Sequence, residues 1–255
     1  MTTNNDSHLK NLLQLVVSNT LLLAKHLETL GISRNLQQYY KRSGWLKSMA
    51  PGVYYLPQDQ PNWLGAVYTM QKQALLPTHP GGLTALSLQG MAHYIRLGQE
   101  PLYIFITTKT KLPKWFIDHN WQQPLKNYAT DFLPNELALV EYKTQNFTIN
   151  ISSPERAILE CLYLAPNKMD LIECYHLIEG LVNLRPSIIQ ELLEACRSIK
   201  TKRLFLYMAE KAEHAWFKYL DQSKFDLGVG DRLLVKNGVY IKSYAITVSK
   251  ELNNL

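Results

Sequence analysis

The residues best suited to chemistry in this chain lie in a short polar stretch that begins at Ser33. If the stretch is helical, Ile32, Leu36 and the Tyr39-Tyr40 pair form one apolar face. The opposite face contains no acid. In the major groove of DNA, arginine suits guanine, whereas asparagine and glutamine suit adenine. The residues on this outward face are Arg34, Asn35, Gln37, Gln38, Lys41 and Arg42.

The segments around this stretch predict the elements that would position it. Ser33 is a good N-cap, because its hydroxyl can accept a hydrogen bond from a free amide at the helix start. Leucine-rich segments predict helices at residues 9–17 and 20–30, and Gly44 ends the polar helix. Residues 45–49 and 53–56 read as two strands joined by a turn. This order predicts a winged helix-turn-helix, whose second helix enters the major groove. The alternative is a solvated amphipathic helix beside an unrelated hairpin.

The basic charge of the chain is concentrated in the same region. Residues 9–57 contain six basic residues and one acid, Glu28, whereas residues 58–255 contain 21 basic and 19 acidic residues. Lysine and arginine displace counterions from phosphates, so a local excess of them favours a DNA partner. The distribution therefore predicts that the first part of the chain contacts double-stranded DNA.

A second group of residues could support enzymatic chemistry. Glu141 and Lys143 are two positions apart and would share one face of a strand, with Asp131 upstream. In metal-dependent nucleases, carboxylates hold a divalent ion while a lysine assists attack by water. An acid and a lysine at this spacing are common in proteins of this size, so a nuclease remains only an alternative. The main hypothesis assigns no catalytic residue, no metal site and no cofactor.

The composition indicates a globular protein without a membrane segment. Hydrophobic residues make up 46% of the 255 residues, enough for a sizeable core. No apolar stretch approaches the roughly 20 residues of a membrane helix, and the polar N-terminus lacks the features of a signal peptide. Cys161, Cys174 and Cys196 lie in apolar helical stretches and are expected to be buried thiols. A cytoplasmic location is therefore expected.

The chain changes character after residue 57, where Pro57, Asp59, Pro61 and Asn62 interrupt regular structure. We therefore expect a flexible tail at residues 1–8, a DNA-binding domain at residues 9–57 and a second domain at residues 58–255. The second domain is predicted to combine several helices with a small mixed sheet, which gives an α+β fold overall. Its strands are predicted at residues 101–107, 137–142 and 147–151, and its helices at residues 63–74, after Gly81-Gly82, and at residues 154–164, 169–184, 187–199 and 204–214.

Three smaller patterns in the second domain concern charged residues and a turn. Arg156 and Glu160 are four apart and are expected to pair on a helix surface. The basic residues at positions 200, 202 and 203 are expected to lie exposed at a helix end. Asn237-Gly238, between alternating apolar residues, predicts a β-hairpin.

Taken in order, several segments together resemble the AbiEi family, the antitoxins of type IV, abortive-infection toxin–antitoxin systems in bacteria. The resemblance covers residues 9–250, and it depends on the order and spacing of the segments because none is diagnostic alone. The segments are SRNLQQYYKRSGWLKSMAPGVYYL, GGLTALSLQGMAHYI, LPKWF, SSPERAILECL, KRLFLYMAE and LGVGDRLLVKNGVY.

The resemblance implies a function beyond what the residues indicate by themselves. Such antitoxins use an N-terminal winged helix domain to bind inverted repeats in their own promoter. A larger C-terminal α/β domain counters a nucleotidyltransferase toxin, and no stable complex with the toxin is required. The resemblance adds the wing residues Lys47 and Ser48 to the predicted DNA-binding set. We also include Ser33 at the helix start in that set. The remaining alternative is a protein that neutralises its target by direct binding, with the basic helix as a docking face.

Overall fold

The computed structural model describes residues 16–92 and 100–255. Within these ranges the chain folds as a mixture of helices and small sheets, which confirms the predicted α+β class. The predicted tail at residues 1–8 and nearly all of the predicted helix at residues 9–17 lie outside the described residues.

The first part of the described chain forms two short helices and a three-stranded antiparallel sheet. The strand order is β1-β3-β2, and β2 and β3 form the predicted hairpin. The elements are β1 (Leu22–Leu23), α1 (Ala24–Thr29), α2 (Arg34–Arg42), β2 (Lys47–Ala50) and β3 (Val53–Tyr55). This arrangement is that of a winged helix-turn-helix, with α2 as the second helix and β2–β3 as the wing.

The prediction of one continuous helix over residues 20–30 is wrong in its first part. Leu22 and Leu23 are extended and pair with Tyr54 and Val53 of the wing. Spacing alone does not distinguish a short apolar strand from the start of a helix. The wing supplies a strand partner for these two residues, so helix α1 begins only at Ala24.

The small core of the winged unit lies between its helices and its sheet. Leu27 from α1, Tyr40 from α2 and Tyr54 from β3 are nearly inaccessible to solvent, and Ile32 and Leu46 complete the cluster. Because these side chains come from both helices and from strand β3 of the wing, their packing fixes the orientation of α2 relative to the wing.

Helix α3 (Trp63–Lys72) follows the predicted linker and is hydrogen-bonded to the strand β1 region. The Thr69 hydroxyl accepts from the Leu21 amide at 3.0 Å and donates to the Leu21 carbonyl at 2.9 Å. The Gln73 side chain accepts from the Leu23 amide at 2.9 Å and donates to the Leu21 carbonyl at 2.7 Å. The winged unit is thus attached to α3 through its own backbone, and the domain boundary at residue 57 stays a prediction.

A second, mixed sheet follows α3, with strand order β4-β5-β6. Strand β5 lies in the centre, antiparallel to β4 and parallel to β6, and all five of its residues are buried. Strands β7 and β8 form a separate antiparallel pair. The elements are β4 (Thr78–Pro80), α4 (Gly82–Leu88), β5 (Leu102–Ile106), α5 (Lys114–Ile117), β6 (Leu125–Ala129), β7 (Leu139–Lys143) and β8 (Thr148–Ser152).

The last part of the chain is mainly helical. Ser153 caps the start of α6, because its side chain accepts a hydrogen bond from the Arg156 amide. All three cysteines are buried, as expected. The helices are α6 (Pro154–Leu164), α7 (Leu171–Gly180), α8 (Pro186–Ala195), α9 (Ile199–Lys211) and α10 (Lys250–Asn254), with 3-10 turns at Phe217–Tyr219 and Gln222–Lys224.

A small sheet, β9 (Arg232–Leu233), β10 (Val239–Ile241) and β11 (Ile246–Val248), replaces the hairpin predicted at Asn237-Gly238. Its order is β10-β11-β9, so β11 separates the two strands that the hairpin would have paired. A Cβ atom on Gly238 would lie 2.0 Å from the Val248 carbonyl oxygen. The absence of a side chain at Gly238 therefore allows the backbone to pass close to β11. The neighbouring residues in the sequence do not indicate this role.

A buried ionic cluster corrects the prediction that Arg156 and Glu160 pair on the surface. The two residues do pair, at 2.9 Å, but both are buried. The Glu160 carboxylate also accepts from His79 Nε2 at 2.9 Å, the Ser152 hydroxyl at 2.7 Å and the Gly82 amide at 2.8 Å. Burial alone would raise the pKa of Glu160, but the charges and hydrogen bonds of His79, Arg156 and Ser152 outweigh it and bring the pKa to about 2. The cluster joins β4, β8, α4 and α6.

Lys202 and Arg203 at the start of α9 are buried and Lys200 is partly buried, which corrects the prediction that these residues are exposed. The Arg203 guanidinium donates to the carbonyls of Leu227, Gly228, Gly230 and Ala245 at 2.7–3.1 Å. Lys202 is 2% exposed. Arg203 therefore fixes loops of the last sheet.

Candidate nucleic-acid interface

Helix α2 is fixed at both ends by local contacts. The Ser33 side chain accepts a hydrogen bond from the Leu36 amide at 3.3 Å, which confirms Ser33 as the N-cap. At the other end, the Ser43 hydroxyl donates to the Tyr39 carbonyl at 2.8 Å. A capped helix of this length presents its polar face in a defined register. The residues of α2 that the structure leaves exposed on that face are Arg34, Asn35, Gln38, Lys41 and Arg42.

Gln37 does not belong to this exposed face, contrary to the sequence prediction. Its side chain is fully buried, and its Nε2 donates to the carbonyls of Ala24 and Ile32, each at 2.9 Å. Those carbonyls lie at the start of α1 and in the turn before α2, so Gln37 joins the two helices. For Tyr39 the difference is the reverse: the sequence predicts it on the buried apolar face, but the residue is 53% exposed.

The wing presents its own polar residues beside α2. Lys47 and Ser48 are exposed on β2, and the Ser48 hydroxyl donates to the Ala50 carbonyl at 3.1 Å. Gln38 of α2 donates from Nε2 to the Tyr54 hydroxyl on β3 at 3.3 Å. The exposed face of α2 and the wing therefore belong to one connected structure.

One acid, Glu28, lies beside this basic face. The Arg34 Nε donates to Glu28 Oε1 at 2.8 Å, and both side chains are about half exposed. In the described chain up to residue 57, Glu28 is the one acidic residue against five basic residues. An exposed pair of this kind adds little to stability, but it fixes the direction in which Arg34 points.

The residues of the nuclease alternative lie on different elements. Asp131 follows β6 and accepts hydrogen bonds from the Thr108 amide and hydroxyl, which hold its pKa below the usual range. Glu141 and Lys143 are exposed on β7, in the separate two-stranded sheet. Across residues 16–92 and 100–255, no group of three or more histidine, cysteine or acidic residues is arranged to hold a metal ion. The geometry thus gives the nuclease alternative no support.

None of the helices in the described ranges combines the length and apolar character that a membrane crossing needs.

The fold of the whole chain is similar to that of a protein of known structure. The crystal structure of the RV2827C protein from Mycobacterium tuberculosis superimposes with a TM-score of 0.60 at 13% sequence identity. The match covers 100% of this chain and 95% of that one. At this level of identity the similarity concerns the fold alone. A comparison with curated protein sequences gives no match.

Two family models account for nearly all of the chain. Residues 5–97 match the N-terminal domain of the AbiEi antitoxin, described as a transcriptional regulator. Residues 99–249 match a model described as a transcriptional regulator, AbiEi antitoxin, of type IV toxin–antitoxin systems. The first match includes the winged unit together with α3, β4 and α4, and the second begins shortly before β5. The chain belongs to the AbiEi family of transcriptional regulators, the antitoxins of type IV toxin–antitoxin systems.

Proposed function

We propose that this antitoxin represses its own operon by binding inverted repeats in its promoter, with α2 in the major groove and the wing against the backbone. The observation that carries the proposal is the exposed face of α2, which combines base-reading amides and arginines with lysine and contains no acid of its own. The face is held in one orientation by the Ser33 cap and by the buried bonds of Gln37. DNA binding would also require the cytoplasmic location that the sequence predicts.

The residues of this face divide into two roles. Arg34, Asn35 and Gln38 would contact base edges, because arginine matches guanine and the amides match adenine. Lys41, Arg42 and Lys47 would mainly contact phosphates and set the register on the duplex. Ser33 would donate to a DNA phosphate from the edge of the face, and Ser48 would do so in place of its bond to the Ala50 carbonyl. Gln37 has no part in the interface, because it is buried.

Gel-shift titrations of two variants on the operator and on random DNA test this division. We expect Arg34→Ala to weaken binding to the operator by about 1–3 kcal/mol, with little effect on random DNA. Lys41→Ala should weaken binding to both DNAs. The number of counterions released on binding, read from the salt dependence of the affinity, should fall by about one. Lys236→Ala removes the same charge from an exposed position outside the winged unit and should bind as the wild type does. Equal losses on both DNAs for Arg34→Ala and Lys41→Ala would contradict the assignment.

We further propose that the part of the chain after the winged unit counters a nucleotidyltransferase toxin without forming a stable complex. The family assignment supports an antitoxin role, and the buried clusters around Glu160 and Arg203 give this part of the chain a rigid scaffold. Co-expression of both proteins followed by affinity purification tests the proposal. Rescue of growth without co-purification of the toxin is expected, whereas a stoichiometric complex would favour neutralisation by direct binding.

A further inference from the structure

Tyr39 presents an aromatic surface on α2 that neither the core nor the proposed DNA contacts explain. The residue is 53% exposed, whereas its neighbour Tyr40 is 1% exposed and belongs to the core of the winged unit. The two ring centroids are 6.0 Å apart, so the Tyr39 ring lies beside the core without entering it. In the described chain up to residue 57, Tyr39 is the one large hydrophobic residue of a helix that is exposed. An aromatic ring in this position is suited to an apolar partner.

Tyr39 lies next to Asn35 on the surface of α2. The two residues are four positions apart in one helix, a spacing at which Cβ atoms are roughly 5–6 Å from each other. Asn35 is exposed and belongs to the face that is proposed to contact base edges. Tyr39 therefore extends that face by an aromatic ring, directly beside a side-chain amide.

The charges around Tyr39 favour DNA over a second copy of this chain as the partner. Arg42 follows three positions later and is exposed, and Lys41 and Arg34 are exposed on the same helix. Helix α2 contains no acid, and the nearby Glu28 is already paired with Arg34. Two copies that met through this face would therefore bring like charges together. A polyanion with an apolar group in its groove would instead match both the cations and the ring.

One base pair of DNA offers the two groups that Asn35 and Tyr39 could contact. In the major groove, adenine presents N7 and its amino group, which match the side-chain amide of asparagine. Its partner thymine presents the C5-methyl group on the same edge, as an apolar contact. The major-groove edge of a G·C pair contains no methyl group. An amide beside an aromatic ring is therefore suited to an A·T pair.

We propose that Tyr39 is a specificity-determining residue, whose ring contacts the C5-methyl group of the thymine paired with the adenine that Asn35 reads. The inference rests on the proposed function, because it requires α2 in the major groove. It adds a defined base pair to that function, since each half of the inverted repeat would contain an A·T pair at this position. The Tyr39 hydroxyl takes no part in the contact.

Gel-shift titrations on operator duplexes with single replacements of thymine by deoxyuridine test the contact at the level of one methyl group. Deoxyuridine pairs with adenine as thymine does but lacks the C5-methyl group. We expect one such replacement in each half-site to weaken binding of the wild-type protein about fourfold, as for the loss of one buried methyl group. Operator binding that is equally tight for every replacement would overturn the proposal. This scan uses the wild-type protein alone, so it is decisive whatever the stability of the variants.

Two substitutions of Tyr39 then separate the ring from the hydroxyl. Tyr39→Phe keeps the ring and should bind the operator as the wild type does, with the same loss on the critical deoxyuridine duplex. Tyr39→Ala should bind the unmodified operator more weakly and should no longer distinguish thymine from deoxyuridine at that position. Tyr219→Ala removes a ring that is 68% exposed outside the winged unit and should behave as the wild type. Equal losses for the phenylalanine and alanine variants would assign the effect to the hydroxyl and overturn the proposal.

The same titrations distinguish a failure of this inference from a failure of the proposed function. If the wild-type protein does not prefer the operator to random DNA, the repressor hypothesis fails and the role of Tyr39 fails with it. If operator binding is specific but Tyr39→Ala keeps the full sensitivity to deoxyuridine, the repressor hypothesis stands and the role of Tyr39 is wrong. Loss of that sensitivity in Tyr39→Ala, with its retention in Tyr39→Phe, is the result that supports the proposal.

Discussion

The buried side chain of Gln37 donates to the carbonyl of Ala24 at 2.9 Å and thereby joins α2 to the first residue of α1. A second bond of the same length goes to the Ile32 carbonyl in the turn between the helices. Both acceptors are backbone carbonyls. Ala24 is the residue at which the chain passes from β1 into α1. The angle between the two helices therefore depends on a residue that the sequence places among the DNA contacts.

Replacement of Gln37 by leucine should destabilise the winged unit without removing a DNA contact. The change keeps most of the buried volume but leaves the carbonyls of Ala24 and Ile32 without their donor, which we expect to cost about 1–3 kcal/mol. Urea unfolding, with hydrogen exchange at the α1 and α2 amides, measures the loss. Gln38→Leu, at an exposed position, should change stability by less than about 0.5 kcal/mol. Equal stability of the two variants would show that the bonds of Gln37 contribute nothing.

The pair between Glu28 and Arg34 should affect specificity more than stability. Glu28→Gln removes the one acid near the proposed DNA face and releases Arg34 from its partner. We expect binding to random DNA to become a few-fold tighter and the ratio of operator to random affinity to fall. Stability should change by no more than about 0.5 kcal/mol, because both side chains are exposed. Fluorescence anisotropy on both DNAs at several salt concentrations measures these effects, and unchanged or weaker binding to random DNA would contradict the prediction.

Local sequence signals predicted the elements of the site well. The sequence identifies Ser33 as an N-cap, and its side chain accepts the expected backbone hydrogen bond. The wing and the buried strand β5 also follow from short patterns of alternating or continuous apolar residues. These features depend on residues within a few positions of each other, which a sequence displays directly.

Polar residues that find distant partners were predicted incorrectly. Gln37, Glu160 and Arg203 were all expected at the surface, because each lies in a helix with polar neighbours. Their partners are 13, 81 and up to 42 positions away in the chain, at Ala24, His79 and Ala245. Periodicity shows which side of a helix is apolar, but not which polar group a remote carbonyl or histidine will satisfy. Which exposed residues of α2 contact DNA stays a prediction.

The ionic cluster around Glu160 should make stability depend on pH below about 6.5. The pKa of Glu160 is lowered to about 2 in the folded protein, compared with an ordinary value of 4.5. Its contribution to stability is therefore present above pH 4.5 and is lost as the pH falls towards 2. Burial also lowers the pKa of His79 from 6.5, so unfolding becomes easier below pH 6.5, where the unfolded histidine takes up a proton.

The Glu160→Gln variant distinguishes the contribution of this cluster to the pH dependence of stability from that of the other titrating groups. It leaves the Arg156 charge buried without its carboxylate, which we expect to cost about 3–5 kcal/mol at pH 7. Urea unfolding of the wild type and the variant at pH 7, 5 and 4 provides the comparison. The difference between them should shrink as the pH falls, because the wild type loses what the variant already lacks. The exposed Glu191→Gln should follow the wild-type curve.

Arg203→Lys should loosen the last sheet specifically. Lysine keeps the positive charge but cannot reproduce the planar set of donors that reaches the carbonyls of Leu227, Gly228, Gly230 and Ala245. We expect faster hydrogen exchange at residues 227–248 and a loss of about 2–4 kcal/mol in global stability. Arg232→Lys, at an exposed position of the same sheet, is the matched control. Unchanged exchange in Arg203→Lys would mean that packing alone holds these loops.

Gly65 in α3 tests whether the winged unit is independent of the rest of the chain. A Cβ atom on this residue would lie 2.0 Å from the Asn19 carbonyl oxygen, so Gly65→Ala must move α3 away from the segment before β1. In an exposed helix this substitution would stabilise the protein by about 1 kcal/mol, and here we expect a loss of about 1–3 kcal/mol. A loss of stability in Gly65→Ala would therefore show that the close contact dominates, and a gain would show that helix propensity does.

Hydrogen exchange in the same variant shows how far the effect extends. The amides of Leu21 and Leu23 donate to Thr69 and Gln73, and their protection should fall first. If residues 9–57 form a separate domain, the amides of α2 should keep their protection, because their own bonds lie within the winged unit. If α2 loses protection together with Leu21 and Leu23, the unit that unfolds includes α3, and the boundary at residue 57 is not a domain boundary. Greater stability of Gly65→Ala would contradict the close approach itself.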